Sequence, residues 1–265
     1  DLQEWYQKWY APNNAVLVIG GDVNPSEVYE LAEKYYGAIP KQLITPPKSR
    51  REIAQVGIRQ LTVRAPAQVP YLLMGYKVPV LKTVDKQNEW EPYALEVLAG
   101  VLAGTRSARF DKVLVRDKRI ATDADVGYNM HARQDDMLII DGTPAQGKTA
   151  DELKQAIMEQ LELLKNELVT VAELDRIKAQ VVAHDVYQKD SVFYQAMEVG
   201  VLETVGLDWK YARDYLDRVR KVTPEQIQQV AKKYLIDDHL TIAVLEPQPM
   251  VQQARPSGVT SGLRH

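Results

Sequence analysis

The strongest formal ligand motif in the chain is Gly142-Thr143-Pro144-Ala145-Gln146-Gly147-Lys148-Thr149. It fits G-x-x-x-x-G-K-[ST], after a strand-like run and before a helical one. In such a loop backbone N–H groups hold phosphates, the lysine reaches the outer phosphates and the hydroxyl holds magnesium. Other features favour a simpler role. Pro144 removes a donor where the cradle needs one, and no third glycine is present. Asp151 and Glu152 would oppose a bound polyphosphate. Thr149-Ala150-Asp151-Glu152 has the grammar of a capping box, which gives Thr149 and Glu152 a local task. A helix cap is the plainer reading, with a phosphate-loop nucleotide-binding protein as its rival.

Metal and nucleophile chemistry must pass through few residues. The chain has no cysteine and four histidines, so disulfides, thiolate zinc sites and a cysteine nucleophile are excluded. His131, His184, His239 and His265 lie far apart, and neither H-E-x-x-H nor H-x-x-E-H occurs. His184 shares helical spacing with Leu174, Ile177 and Val181, which places it at the edge of a core. No G-x-S-x-G is present, and Ser191 after Asp190 reads as a helix cap. Arg106, Arg109, Arg116, Arg119 and Arg133 could bind substrate carbonyls or carboxylates, or could form a solvated face. A sheet edge around 120–132 could accept an extended peptide by strand addition.

The elements that must position these residues follow from pattern. Residues 1–9 read as a short aromatic helix, broken at Ala11-Pro12-Asn13-Asn14. The apolar run Ala15 to Ile19 reads as a buried strand. Asn24-Pro25 opens a helix that stops at Gly37. Thr45 to Arg51 reads as a linker. Strands are expected over 56–65 and 70–78, joined by a Pro-containing turn, and helices over 90–103 and 107–116. A hairpin of 121–132 and 136–142 follows. A helix over 150–166 carries Leu153, Ile157, Leu161 and Leu164 on its core face. Further helices are expected at 171–188, 191–205, 209–220 and 224–234, then a strand over 240–245 and a loose tail from Gln248.

One internal echo stands out. The stretch from Leu2 through Tyr10 to Val18 and that from Ile227 through Tyr234 to Ile242 share one grammar: helix, polar break, apolar strand. Helix–turn–strand is common, so the echo can be trivial. If both copies close a domain, the chain opens near the end of one.

Composition narrows the class. The 265 residues are 45% hydrophobic and 26% charged, the balance of a globular protein. A net charge of -3 gives no electrostatic case for nucleic acid. No apolar run is long enough for a membrane span, and the first residues do not resemble a signal peptide.

Several segments together resemble the pitrilysin/insulinase-type zinc peptidases, and among them the bacterial relatives of mitochondrial processing peptidase. They are Leu2-Gln3-Glu4-Trp5-Tyr6, Trp9 to Ala15, Val18 to Val23 and Tyr35 to Pro40. Leu95, Leu98 to Gly104, Ser107 to Phe110, Val169 to Leu174, Gln195-Ala196 and Val222 to Glu225 continue the match in order. The resemblance covers 1–247. It implies an α+β metallopeptidase-like domain with a largely antiparallel sheet covered by helices, preceded by the tail end of a second copy of that domain. Residues 1–47 would be the end of a truncated first domain of the zinc-bearing type plus linker. Residues 48–247 would form a complete second domain, and 248–265 a flexible tail.

The family hydrolyses peptide bonds with zinc held by H-x-x-E-H and a later Glu. Those ligands belong to the first domain, and no residue here matches them. Zinc is therefore expected in the full-length parent and not in this fragment, which should be inactive alone. A second family site pairs an Arg with a nearby Tyr in the second domain. Arg116 matches the Arg, while the Tyr position falls on Thr122 or Asp123, with Tyr128 further along. Arg116 and Tyr128 are the candidate substrate-binding residues. The broken pair resembles the zinc-bearing subunit of a two-protein complex, or a wholly non-catalytic scaffold subunit. The resemblance further implies extended or unfolded polypeptide substrates, a homo- or heterodimer with a related peptidase-like subunit, and a periplasmic location.

Overall fold

Alternation along Tyr71–Val78 (β2), interrupted at the buried Gly75, sets the sheet. Leu72, Met74, Tyr76 and Val78 are buried on one face, as a period of two requires. Asp136–Pro144 (β4) alternates likewise and pairs antiparallel with β2, placing Met74 opposite Ile140. Leu240–Gln248 (β5) pairs antiparallel with the other edge of β2, with Met74 opposite Ile242. Arg59–Pro66 (β1) runs parallel to β5, and Ala121–Gly127 (β3) antiparallel to β4. The order is β1-β5-β2-β4-β3. The chain is described by a computed structural model over residues 1–46, 48 and 53–249. The remainder of the expected linker and of the expected tail lies outside the described residues.

Helices cover the apolar face. Glu91–Leu102 (α3) is buried along nearly its whole length. Ala150–Asn166 (α4) buries Leu153, Ile157, Leu161 and Leu164, the face its spacing specifies. Pro224–Tyr234 (α8) packs on α3, α4 and β2. Three more helices, Val171–Lys189 (α5), Val192–Val205 (α6) and Lys210–Lys221 (α7), form an outer layer over α3. Local chemistry fixes their starts. Thr170, Ser191 and Thr223 each accept a backbone N–H inside the first turn. The result is the expected α+β arrangement, with a largely antiparallel sheet covered by helices.

The two expected strands form over 59–66 and 71–78, and β5 lies between them in the sheet. Other local expectations are corrected. Ala15 to Ile19 is extended but forms no strand, with Val16 53%, Leu17 58% and Ile19 48% exposed. An apolar run becomes a strand only where a neighbour supplies ladder partners, and no described strand does. The helices before and after it, Leu2–Trp9 (α1) and Pro25–Tyr36 (α2), bury no residue either. Gly37 closes α2 with a right-handed φ of -62°, so it is not a left-handed cap. Phe110–Asp117 is a π-helix where an α-helix was expected. The first hairpin strand ends at Gly127, and β5 continues to Gln248 because β1 pairs along it to that point.

The echoed segments take the same local course. Each is an α-helix, then a 3₁₀ turn (Pro12–Asn14 or Asp237–His239), then extended chain. They differ in pairing: β5 is held between β1 and β2.

The α3–α8 contact contains a buried carboxylate. Glu91 is 3% exposed. It accepts from the Tyr234 hydroxyl and, at 2.6 Å, from Lys233 Nζ. Removing one donor leaves a buried charge short of a partner. Tyr234→Phe is expected to lower stability by about 1–3 kcal/mol, measured by urea unfolding.

Candidate functional site

The G-x-x-x-x-G-K-[ST] segment is built as a cap. Gly142 is not in a loop: it lies in β4, opposite Leu72 on one side and Ala124 on the other. A Cβ there would stand 2.8 Å from the Asp123 carbonyl oxygen, so close strand approach explains the glycine. Thr149 Oγ1 accepts from Glu152 N at 3.1 Å, and Glu152 Oε2 accepts from Thr149 N at 2.9 Å. Lys148 Nζ lies 3.0 Å from Glu152 Oε1. That lysine, the backbone of Thr149 and its hydroxyl all hold the Glu152 carboxyl below its ordinary range. The groups that would hold phosphate and magnesium are thus engaged with one another.

Among the described residues, the histidines do not converge. His184 is exposed, against the expectation of a core-edge position. The buried row of α5 runs Leu174, Ile177 and then Asp185; a step of four from Val181 reaches 185 and turns 184 outward. His131 is partly buried, and burial pushes its pKa down. His239 Nδ1 lies 3.2 Å from the Tyr234 carbonyl oxygen. Among the described residues no group of three His, Asp or Glu side chains could hold a metal. The described residues do not fit a catalytic zinc.

The arginines divide by environment. Arg109 makes a two-pronged pair with Glu173, Nε to Oε1 at 3.0 Å and Nη2 to Oε2 at 2.9 Å. Both side chains are mostly buried, so this pair ties the start of the π-helix to α5. Arg119 adopts φ 51°, a left-handed turn between the π-helix and β3. Arg116 stands near the end of the π-helix with its side chain 54% exposed. Its Nη2 donates to the Arg106 carbonyl at 2.6 Å, and its Nε lies 3.1 Å from Asp111.

Tyr128 follows β3 and is half-buried. Its hydroxyl donates to the Pro79 carbonyl at 2.6 Å, and burial pushes its pKa up. Arg116 and Tyr128 therefore have separate partners. Thr122, at the other possible Tyr position, is exposed and bonds to Asp123 and to the Thr143 carbonyl. β3 is an edge strand with Thr122, Asp123 and Asp125 exposed. Behind it, Tyr71 donates to Asp141, which raises the Tyr71 pKa to about 12.

Pattern reading missed a cleft of about 1450 Å³ between α1, residues 45, 46, 48 and 53–55, the ends of β2 and β4, and the α8–β5 turn. Trp9, Gln55, Lys77, Arg133, Asp136 and His239 are among its walls. These come from separate stretches of chain, so no local motif marks them.

A largely antiparallel five-stranded sheet with helices packed on its apolar face defines a class, the α+β domains. The comparisons give the family. Residues 1–181 match the family described as the Peptidase M16 inactive domain. The chain belongs to the M16 peptidase family, and the resemblance to zinc peptidases is shown. It is similar to the zinc protease PqqE of Helicobacter pylori, with 26% identity over 253 residues, 93% of this chain and 54% of that protein. A crystal structure of a protease from Helicobacter pylori matches with TM-score 0.86 and 26% identity, covering 93% of this chain and 58% of that one. The periplasmic protease PqqL from Escherichia coli shares the fold, with TM-score 0.69 at 12% identity, over 93% of this chain and 28% of that one. The chain thus spans about half the length of its PqqE relative. No described helix is long and apolar enough to cross a membrane.

The capping role gives a direct test. Thr149→Ala is expected to cost about 1 kcal/mol in thermal or urea unfolding. Calorimetric titration with magnesium-ATP is expected to show no saturable heat. Saturable heat that disappears in Lys148→Ala would restore the phosphate reading.

Proposed function

We propose that this chain is the substrate-chamber portion of a longer zinc metalloendopeptidase that hydrolyses peptide bonds in extended polypeptides. The observation that carries this reading is likeness to a zinc protease along 93% of the chain, in a chain that spans 54% of that relative. Residues 1–47 are the end of a first, zinc-bearing domain with its linker, 48–247 are the second domain, and 248–265 are a tail. The exposed apolar side chains of Val16, Leu17 and Ile19 support a further body over them. Burying a side chain of that kind is worth about 1.5–3 kcal/mol.

In this reading the metal supplies a bound water activated near neutral pH, from the portion upstream. The present residues supply a wall. Arg116 offers a half-exposed cation for a peptide carbonyl or carboxylate. Tyr128, with its hydroxyl donated to Pro79, offers a ring rather than a proton. The free edge of β3 offers ladder groups to an extended chain. A related peptidase-like subunit would close the chamber, and the periplasm is the location, as for PqqL. The rival reading is a non-catalytic scaffold subunit, favoured by the exposed Thr122 and Asp123 where the family Tyr would stand.

The full-length gene is expected to encode H-x-x-E-H upstream of Asp1. Its product, loaded with zinc and mixed with its related subunit, is expected to cleave an unstructured peptide library, while the 265-residue chain alone does not. Arg116→Ala in the full-length protein should lower kcat/KM about tenfold, roughly 1.4 kcal/mol of transition-state stabilisation. A zinc-loaded, partnered protein that cleaves nothing would favour the scaffold.

A further inference from the structure

Among the described residues, four buried side-chain atoms lack a hydrogen-bond partner, and three lie on α3 and α5: Glu96 Oε2, Gln180 Oε1 and Asp185 Oδ2. Glu96 projects from α3, the helix on which the outer layer α5–α6–α7 sits. The residue keeps some exposure, yet its Oε2 is out of water. From α7, the Tyr215 hydroxyl faces the Glu96 carboxyl and favours its charged form. From α5, Asp185 stands 5% exposed, with Oδ2 3.0 Å from Lys189 Nζ but without an aligned hydrogen bond. From α6, Tyr194 and Glu198 complete the group. Tyr128 from beyond β3 and Tyr93 on α3 itself also feel the Glu96 charge. Two cations stand nearby: Lys189, shared by Asp185 and Glu198, and Arg218, which acts on Tyr93 and pairs with Glu89.

The layer has a second task. Val18 packs on α6 where Gly200 leaves room, and Gly20 sits against Val192 and Ala196. Since α6 packs on α5 and α7, which rest on α3, whatever seats that layer also seats the segment that precedes α2.

We propose that the Glu96–Tyr215–Asp185–Glu198 cluster is a pH-sensitive joint: Glu96 holds a proton when the α5–α7 layer is docked, and loss of that proton loosens the layer together with residues 18–20. The physical cause is desolvation, since a carboxylate at Oε2 would be buried without a donor while Asp185 adds a like charge. Burial, opposed by the Tyr215 hydroxyl and aided by Asp185, pushes the Glu96 carboxyl from 4.5 to about 7. Burial likewise pushes Glu198 up. The docked state therefore binds more protons than the open state between about 4.5 and 7, so its advantage is full at low pH and falls as pH rises through that window. The inference rests on this chain's own residues and stands apart from the peptidase reading.

Amide hydrogen exchange on the 265-residue chain tests it, with rates corrected for intrinsic pH dependence. Protection in α6 and α7 is expected to fall about tenfold between pH 6 and pH 8, as the displaced carboxyl requires. Protection in α4 and α8 is expected to hold. Glu96→Gln should keep the Tyr215 contact and abolish the loss. Equal protection at both pH values in the unmodified chain, or an equal loss in Glu96→Gln, would overturn the proposal. Should that variant fail to fold, the carboxyl carbon of Glu96 in the unmodified chain decides by NMR. Titration near 7 supports the joint, and titration near 4.5 overturns it.

Discussion

Strand β2 needs ladder partners on both edges and cover on one face. Its inner row, Leu72, Met74, Tyr76 and Val78, is buried, and both edges are filled, by β4 and β5. A central strand has no tolerance for slippage, because a shift of one residue would turn the whole apolar row to the other side. That requirement brings β5 from the far end of the chain to lie beside residues 71–76. It also draws α8, which leads into β5, onto α3 and α4. The buried Glu91 then has to meet Lys233 and Tyr234 where α3 and α8 touch.

The chain belongs to the M16 peptidase family, and among its described residues no group of three His, Asp or Glu side chains could hold a metal. Arginine pairs such as Arg109–Glu173 anchor elements, and the edge strand β3 leaves its outer backbone groups open. Residues 1–43 carry aromatic and aliphatic side chains largely in the open, Trp5, Tyr29 and Tyr35 among them. Such a surface is expensive to leave in water.

The outer helices show a different economy. Their buried row includes Asp185 among Leu174 and Ile177, and Glu96 points to them from the most apolar helix of the domain. A core built for stability alone would place hydrocarbon there. Carboxyl groups at that seam make docking depend on proton binding, whereas Leu98, Leu138 and Ile157 in the sheet-facing layer are buried hydrocarbon.

Much of the architecture was legible along the chain. The alternation of β2, the stripe of α4 and the caps at Thr149, Ser191 and Thr223 are local facts, written in spacing and in side chains that reach their own backbone. The family match was legible too, because it rests on ordered motifs. Where a partner from elsewhere decides the outcome, local pattern fell short. Ala15 to Ile19 had the composition of a strand but no described neighbour to pair with. His184 lost its place in the core to Asp185 through helix drift. The cleft walls and the Glu96 cluster join residues from distant segments. Sequence determined the elements and their starts, since propensity, capping and periodicity act within a few residues. Tertiary structure alone decided which strand entered the middle of the sheet and which carboxyl groups met away from water, since pairing and desolvation depend on what the rest of the chain brings alongside.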